Sequence, residues 1–154
     1  MRPDADRWND PRFRSSSVPA AGAVMTARAG ARFFSLLANR GELGGRRYLS
    51  AGRLLALTRP RPGAGEFDEV YQGTTWIGTG GFWLGGESPP ADPLLGRSVQ
   101  VLAHAGIGGS MGWADLASGL AVVITHNRMF LGAAPGAEPF VPLADAVRAV
   151  AGVE

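Results

Sequence analysis

The chain alternates between two hydrophobic periods, and the points where it switches outline its architecture. Between Ala27 and Asn39, the apolar residues Ala31, Phe34, Leu37 and Ala38 recur three or four residues apart, which is the spacing of one helical face. Thr26 supplies an N-cap for that helix, and Asn39-Arg40-Gly41 closes it, with Gly41 read as the left-handed C′ residue. Ser50 opens a second helix, Ala51–Thr58, which Pro60 and Pro62 stop. A third helix is predicted over Pro142–Val150, where Leu143, Ala146, Val147 and Val150 share a face.

Between the second and third helices the pattern becomes that of strands. Val99–His104, Ser110–Asp115 and Leu120–Thr125 are short apolar runs, the last two joined by a turn at Leu116–Gly119. Gly73–Leu84, with Trp76, Ile77, Phe82 and Trp83 among glycines and threonines, reads as a strand with a bulge or bend. Met1–Ala23 reads as irregular, Leu43–Tyr48 as a turn, Arg59–Gly65 as a Pro/Gly linker and Gly85–Leu95 as a Pro-rich loop. Helices and strands that are segregated along a chain point to an α+β fold with an antiparallel sheet of about three to four strands and flanking helices. The predicted division is an irregular segment, 1–25, followed by one domain, 26–154.

Composition narrows the chemistry. At 154 residues with 45% apolar and 18% charged residues, the chain has the makeup of one folded domain. It has no cysteine, which excludes disulfides, thiolate nucleophiles and Cys-ligated zinc. All fifteen basic residues are arginine, so lysine general bases, Schiff bases and Walker-type phosphate loops are excluded as well. Twelve arginines and four acids fall in residues 1–65, against three arginines and nine acids in residues 66–154. No nucleic-acid motif accompanies the basic half, which is expected to decorate solvated helix faces or pair with the acidic half. There is no apolar run of membrane-span length and no secretory h-region, so a cytoplasmic location is the default expectation. His104, His126 and Asp115 lack metal-ligand spacing, and neither metal nor cofactor is expected.

The stretch VLAHAGIGGSMGWADLASGLAVVITHNRM, from Val101 to Met129, carries the motifs. Gly108-Gly109-Ser110-Met111-Gly112 fits G-x-S-x-G, the nucleophile elbow of α/β-hydrolases, with Asp115 and His126 following in the required order. That alternative needs a helix after Ser110 and a βαβ pattern before it, and the sequence offers neither signal. The same stretch resembles the pattern G-H-x-G-x-G-G-S-x-G-x-A-D-x-x-x-G-L-A of the penicillin-recognising serine hydrolases: class C-type β-lactamases, their esterase relatives and DD-peptidases. A second segment, WNDPRFRSSSVPAAGAVMTARAGARFFSLLANRGELGGRRYLS, is similar to the region following that family's helical subdomain. The two matches cover most of residues 8–130, in the family's order.

The resemblance implies a partial β-lactamase-like fold, the C-terminal portion of a β-lactamase/transpeptidase-like domain. It also implies hydrolysis of esters, β-lactams or D-amino-acid peptides through an acyl-enzyme. That family works with a Ser-x-x-Lys, a Tyr-x-Asn and a Lys/His-Thr-Gly. The first cannot exist without lysine; its nearest imitation is Ser50-Ala51-Gly52-Arg53, whose guanidinium stays protonated. Neither Tyr48-Leu49-Ser50 nor Tyr71-Gln72-Gly73 supplies the second. The third survives as His104-Ala105-Gly106, with Ala105 in place of threonine. By resemblance His104 faces the cleft, Gly106 admits the substrate, and the Ile107 N–H serves as an oxyanion donor, while no complete catalytic set is present.

The expectation is therefore a hydrolase by descent that is inactive alone. Its partner would be a separately encoded N-terminal half or a second copy of itself, with a small acyl substrate once complemented. A non-catalytic interaction module is the alternative. The beginning at a mid-family position, together with the internal Met25, also fits a degenerate or mis-started reading frame with no function of its own.

Overall fold

A computed structural model describes residues 4–19, 21–86, 91, 95–106, 109–127 and 140–153. Helices α1 (Ala5–Asn9) and α2 (Pro11–Arg14) open the described chain, where the sequence pattern predicts irregular backbone. Each is about one turn long. The carboxylates of Asp4 and Asp10 accept N–H bonds from Asp6 and Arg12, and Pro11 sits at the first helical position, where its missing N–H costs nothing.

Helix α3 spans Ala27–Ala38, capped by Thr26, whose hydroxyl accepts from the Ala29 N–H. Its end differs from the expectation by one residue. The Gly41 N–H donates to the Leu36 carbonyl and the Arg40 N–H to that of Leu37, the two bonds of a Schellman ending. Arg40 is therefore the left-handed C′ residue at φ 55°, and Gly41 follows it at φ 88°. Strands β1 (Glu42–Leu43) and β2 (Arg46–Arg47) then form a hairpin where the sequence suggested only a turn. Gly44 and Gly45, both at positive φ, are its two central residues, as a primed turn requires. Ser50 caps α4 (Ala51–Leu57) by accepting from the Arg53 N–H.

Strands β3 (Phe67–Asp68) and β4 (Gly73–Thr74) pair with each other. The run read as one bent strand, Gly73–Leu84, instead folds back on itself. The Leu84 N–H donates to the Trp76 carbonyl and the Gly78 N–H to that of Phe82, so Gly80-Gly81 lies in a turn rather than a bulge. Its second arm is β5 (Trp83–Leu84).

The main sheet has the order β5-β6-β7-β8, antiparallel throughout, with β6 at Val101–Ala105, β7 at Met111–Asp115 and β8 at Ala121–Ile124. Helix α5 (Phe140–Ala151) follows. The strands alternate between two apolar layers. Leu102 and Ala114, with Ala121 and Val123, pack against Phe34, Leu37 and Ala38 of α3, joined by Leu54 and Leu84. Val101, Ala103, Met111 and Trp113 pack with Ala144 of α5 and with Leu95. With helices on both faces, every residue of β7 is buried, which is why that strand shows no polar alternation. Fully burying a side chain such as Leu37 or Leu102 contributes about 1.5–3 kcal/mol relative to exposing it. The result is the α+β architecture expected, with a four-stranded sheet.

Candidate functional site

The His-Ala-Gly step lies where β6 ends and its hairpin to β7 begins. The phase of the ladder fixes which way each backbone group points. Gln100 accepts from the Leu116 N–H, and the Gly106 N–H donates to the Ser110 carbonyl at 2.7 Å. Even-numbered residues of β6 therefore exchange bonds with β7, and odd-numbered ones face the β5 side. Ala103 meets Trp83 there. Ala105 lies past the end of β5, and among the described residues no strand pairs with that edge.

His104 is exposed and pairs across the ladder with Gly112. Its side chain stands on the α3 face of the sheet, in the alternation that buries Leu102. The space above Gly112 is filled by the ring of Phe34: a β-carbon on Gly112 would lie 2.2 Å from Phe34 Cε2. Phe34 thus fills the β7 position of the row that begins at His104, while the opposite edge of β6 is open beside Ala105. Gly106 is exposed, and a β-carbon there would meet only the Ser110 carbonyl oxygen, at an ordinary 3.4 Å. The packing of the described chain makes no demand for glycine at 106. Ile107 lies outside the described residues.

The nucleophile-elbow alternative is overturned by the backbone. Ser110 is followed by β7, not by a helix, and its own carbonyl closes the hairpin. Asp115 sits at the far end of that strand, roughly 16 Å along it at strand rise. Its buried carboxylate accepts from Ser98 Oγ at 2.9 Å, the Ala117 N–H at 2.9 Å and Ser118 Oγ at 2.7 Å. That carboxylate holds the β7–β8 turn together and cannot orient a histidine. Among the described residues no group of three or more His, Asp or Glu stands close enough to hold a metal ion.

The remaining candidates have structural duties. Ser50 Oγ accepts the Arg53 N–H as an N-cap. Tyr48 lies under the Arg46 guanidinium, 5.1 Å from its ring centroid, and Tyr71 packs edge-on to Trp83. Trp113 is buried, with Trp76 and Trp83 half-buried against the two apolar layers. An open groove of about 530 Å³, lined by Asn39, Arg40, Glu42 and the Leu116–Gly119 turn, lies at the opposite end of the sheet from His104. Phe34 is the residue beside the candidate site that the sequence pattern assigned only to the core; the lone signal for its role is the glycine at 112.

Comparison with known proteins places this geometry. The family model described as Beta-lactamase matches residues 1–146. Over 114 residues the chain is 36% identical to the Esterase/beta-lactamase LipL of Mycobacterium tuberculosis (strain ATCC 25618 / H37Rv), covering 74% of this chain and 24% of that one. The crystal structure of a family VIII carboxylesterase superposes with a TM-score of 0.74 at 28% identity, over 93% of this chain and 36% of its own. A penicillin-binding protein homolog from Caulobacter crescentus superposes with a TM-score of 0.67 at 30% identity, over 80% of this chain and 31% of its own. The chain thus spans about a quarter to a third of the length of these relatives. With the family model matched along nearly its whole length and the His-Ala-Gly step set at the open end of the sheet's third-to-last strand, the chain belongs to the beta-lactamase family of serine hydrolases and esterases.

Proposed function

We propose that this chain forms the substrate-facing wall of an acyl-transfer site acting on esters, with β-lactams and D-amino-acid peptides as lesser candidates. The observation that carries the reading is the position of His104–Gly106. This step lies at the end of β6, with His104 exposed and the backbone of Ala105 facing an open edge. An extended substrate laid along that edge would exchange hydrogen bonds with the Ala105 N–H and carbonyl. His104 would then face the substrate's polar end, and the family resemblance assigns the oxyanion donor to the Ile107 N–H. One such donor contributes roughly 3 kcal/mol to the transition state. Ala105 lacks the hydroxyl of the family's usual threonine, which removes one bond to a substrate carboxylate and favours neutral esters over β-lactams. The names of two relatives, an esterase/beta-lactamase and a carboxylesterase, point the same way.

The attacking serine and its base must come from another segment or another polypeptide, since the sequence contains no lysine. In this reading the serine oxygen adds to the ester carbonyl, the alcohol leaves with a proton, and water later releases the acid. The test is p-nitrophenyl butyrate and nitrocefin turnover by the purified chain. It is assayed alone and mixed with the portion of LipL that the match leaves uncovered. No turnover is expected alone, and ester turnover that His104→Ala diminishes is expected in the mixture. Turnover by the chain alone, surviving repurification, would overturn the need for an external nucleophile.

A partner-binding role has its own support in β8. Ala121, Val122, Val123 and Ile124 are apolar and only partly covered, and among the described residues no strand pairs with their outer edge. Such an edge accepts a strand from a complementing half or from a second copy.

A further inference from the structure

We propose that Phe34 is a positioning residue for His104: its ring, seated in the notch left by Gly112, keeps the imidazole from lying back across the sheet and directs it toward the open edge of β6. The inference rests on the reading of His104 as a substrate-facing residue.

The argument begins with one cross-strand row. His104, Gly112 and Val123 are register partners on β6, β7 and β8. His104 and Gly112 form a hydrogen-bonded pair, since the bonded pairs of this ladder include Gln100–Leu116 and Gly106–Ser110. Their α-carbons are therefore about 5.5 Å apart, with side chains on one face. The Phe34 ring occupies the place of a side chain at 112, with Cε2, Cδ2 and Cζ at 2.2, 2.7 and 2.9 Å from an ideal β-carbon. The ring edge consequently stands within about 8 Å of the His104 β-carbon, on the flank toward β7.

That ring has little freedom to withdraw. Gly30, one helical turn earlier, brings α3 onto the same row, where its own β-carbon position is 3.1 Å from a methyl of Val123. Phe33 packs edge-on against Phe34, with centroids 5.4 Å apart and planes at 82°. Phe34 is 8% exposed while its neighbour on the row, His104, is open to solvent. One flank of the imidazole is thus closed by a fixed ring. The other borders β5, which stops at Ala103, one residue short of His104. The rotamers left to His104 point outward over the edge where Ala105 offers its backbone.

The experiment is proton NMR of the full 154-residue chain with assigned histidine and phenylalanine ring signals. The expected result is nuclear Overhauser contacts between the His104 side chain and the Phe34 ring, with the imidazole protons shifted upfield by that ring's current. Phe34→Leu should remove the upfield shift while Phe34→Tyr restores it, with the Trp113 indole signal unchanged in both. A core role alone would not move the imidazole signals and bring them back. If Phe34→Leu does not fold, the contacts in the unsubstituted chain decide. His104 protons that show no contact to Phe34 and resonate as in an unstructured peptide overturn the proposal, whatever the ester assay gives. Contacts present, with no ester turnover in the complemented mixture, would sink the hydrolase reading and leave the positioning intact.

Discussion

Gly112 and Phe34 fit as notch and wedge: a β-carbon at 112 would lie 2.2 Å from Cε2 of the ring, closer than any real contact. Phe34 belongs to the apolar layer between α3 and the sheet and Gly112 is buried beneath its ring, so neither can move without disturbing that layer. Gly112→Ala is therefore expected to destabilise the fold by about 1–3 kcal/mol through overpacking. Shrinking the wedge in the same chain should return part of that loss. A double-mutant cycle of Gly112→Ala with Phe34→Leu is expected to show a favourable coupling of roughly 0.5–3 kcal/mol. Urea denaturation of the four proteins measures it, and strict additivity would mean that ring and notch are independent.

The end of α3 makes a prediction of the opposite sign. Arg40 holds a left-handed conformation that costs a non-glycine residue about 1 kcal/mol, and its side chain has no described hydrogen bond. Arg40→Gly should raise stability slightly, by up to about 0.5 kcal/mol, since the strain relieved exceeds the entropy added to the unfolded chain. Gly41→Ala should do harm, because at φ 88° its β-carbon would lie 2.3 Å from the Leu49 carbonyl oxygen. Thermal denaturation of the two variants should shift the midpoint in opposite directions.

These two sites mark the boundary of what was legible in the sequence. The caps at Thr26 and Ser50 could be read because an N-cap is a local bond, and both side chains accept an N–H of the first turn as expected. At the C-terminus of α3 the Schellman bonds place the left-handed residue one position before the glycine, a difference of register that composition does not reveal. The Gly44-Gly45 hairpin leaves no strand signal in the sequence, because its two-residue strands, Glu42-Leu43 and Arg46-Arg47, are too short to show apolar alternation. Similarly, the turn at Gly80-Gly81 hid inside a run whose aromatics belong to two arms. For the site, His104–Gly106 was recognisable from its motif. Its aromatic wall was not, because Phe34 reaches Gly112 only through tertiary packing and its helical spacing already explained it as core.

Acid should act on the hairpin of β3 and β4 through Asp68. Bonding from the Tyr71 N–H, with the Val70 N–H and the Arg61 guanidinium adding to it, holds this carboxyl below the usual aspartate value. A lowered folded value means the carboxylate stabilises the fold at all pH above the ordinary aspartate range. That contribution is lost as pH falls from the ordinary value of 3.8 through the lower folded one. Asp68→Asn should therefore flatten the fall in stability on acidification in that window and leave its shape near neutrality unchanged. Denaturant midpoints measured across the acid range compare the two. Equal slopes would show that Asp68 is not coupled to folding.

The outer edge of β8 gives a prediction about association. The Asp115 N–H donates to the Leu120 carbonyl at 2.8 Å, so Leu120, Val122 and Ile124 turn their backbone groups toward β7. Ala121 and Val123 then turn theirs outward, where no described strand receives them. Proline at 121 would delete one outward N–H and leave the β7–β8 ladder its bonds, the position at which an edge strand tolerates it. The unsubstituted chain is expected to self-associate, or to take up a complementing half, in a concentration-dependent way that Ala121→Pro weakens several-fold. Sedimentation velocity over a range of concentrations reads this directly, and circular dichroism confirms that the variant keeps its sheet. A chain that sediments as a monomer at every concentration, and binds no complementing half, would mean that this edge is not where partners join.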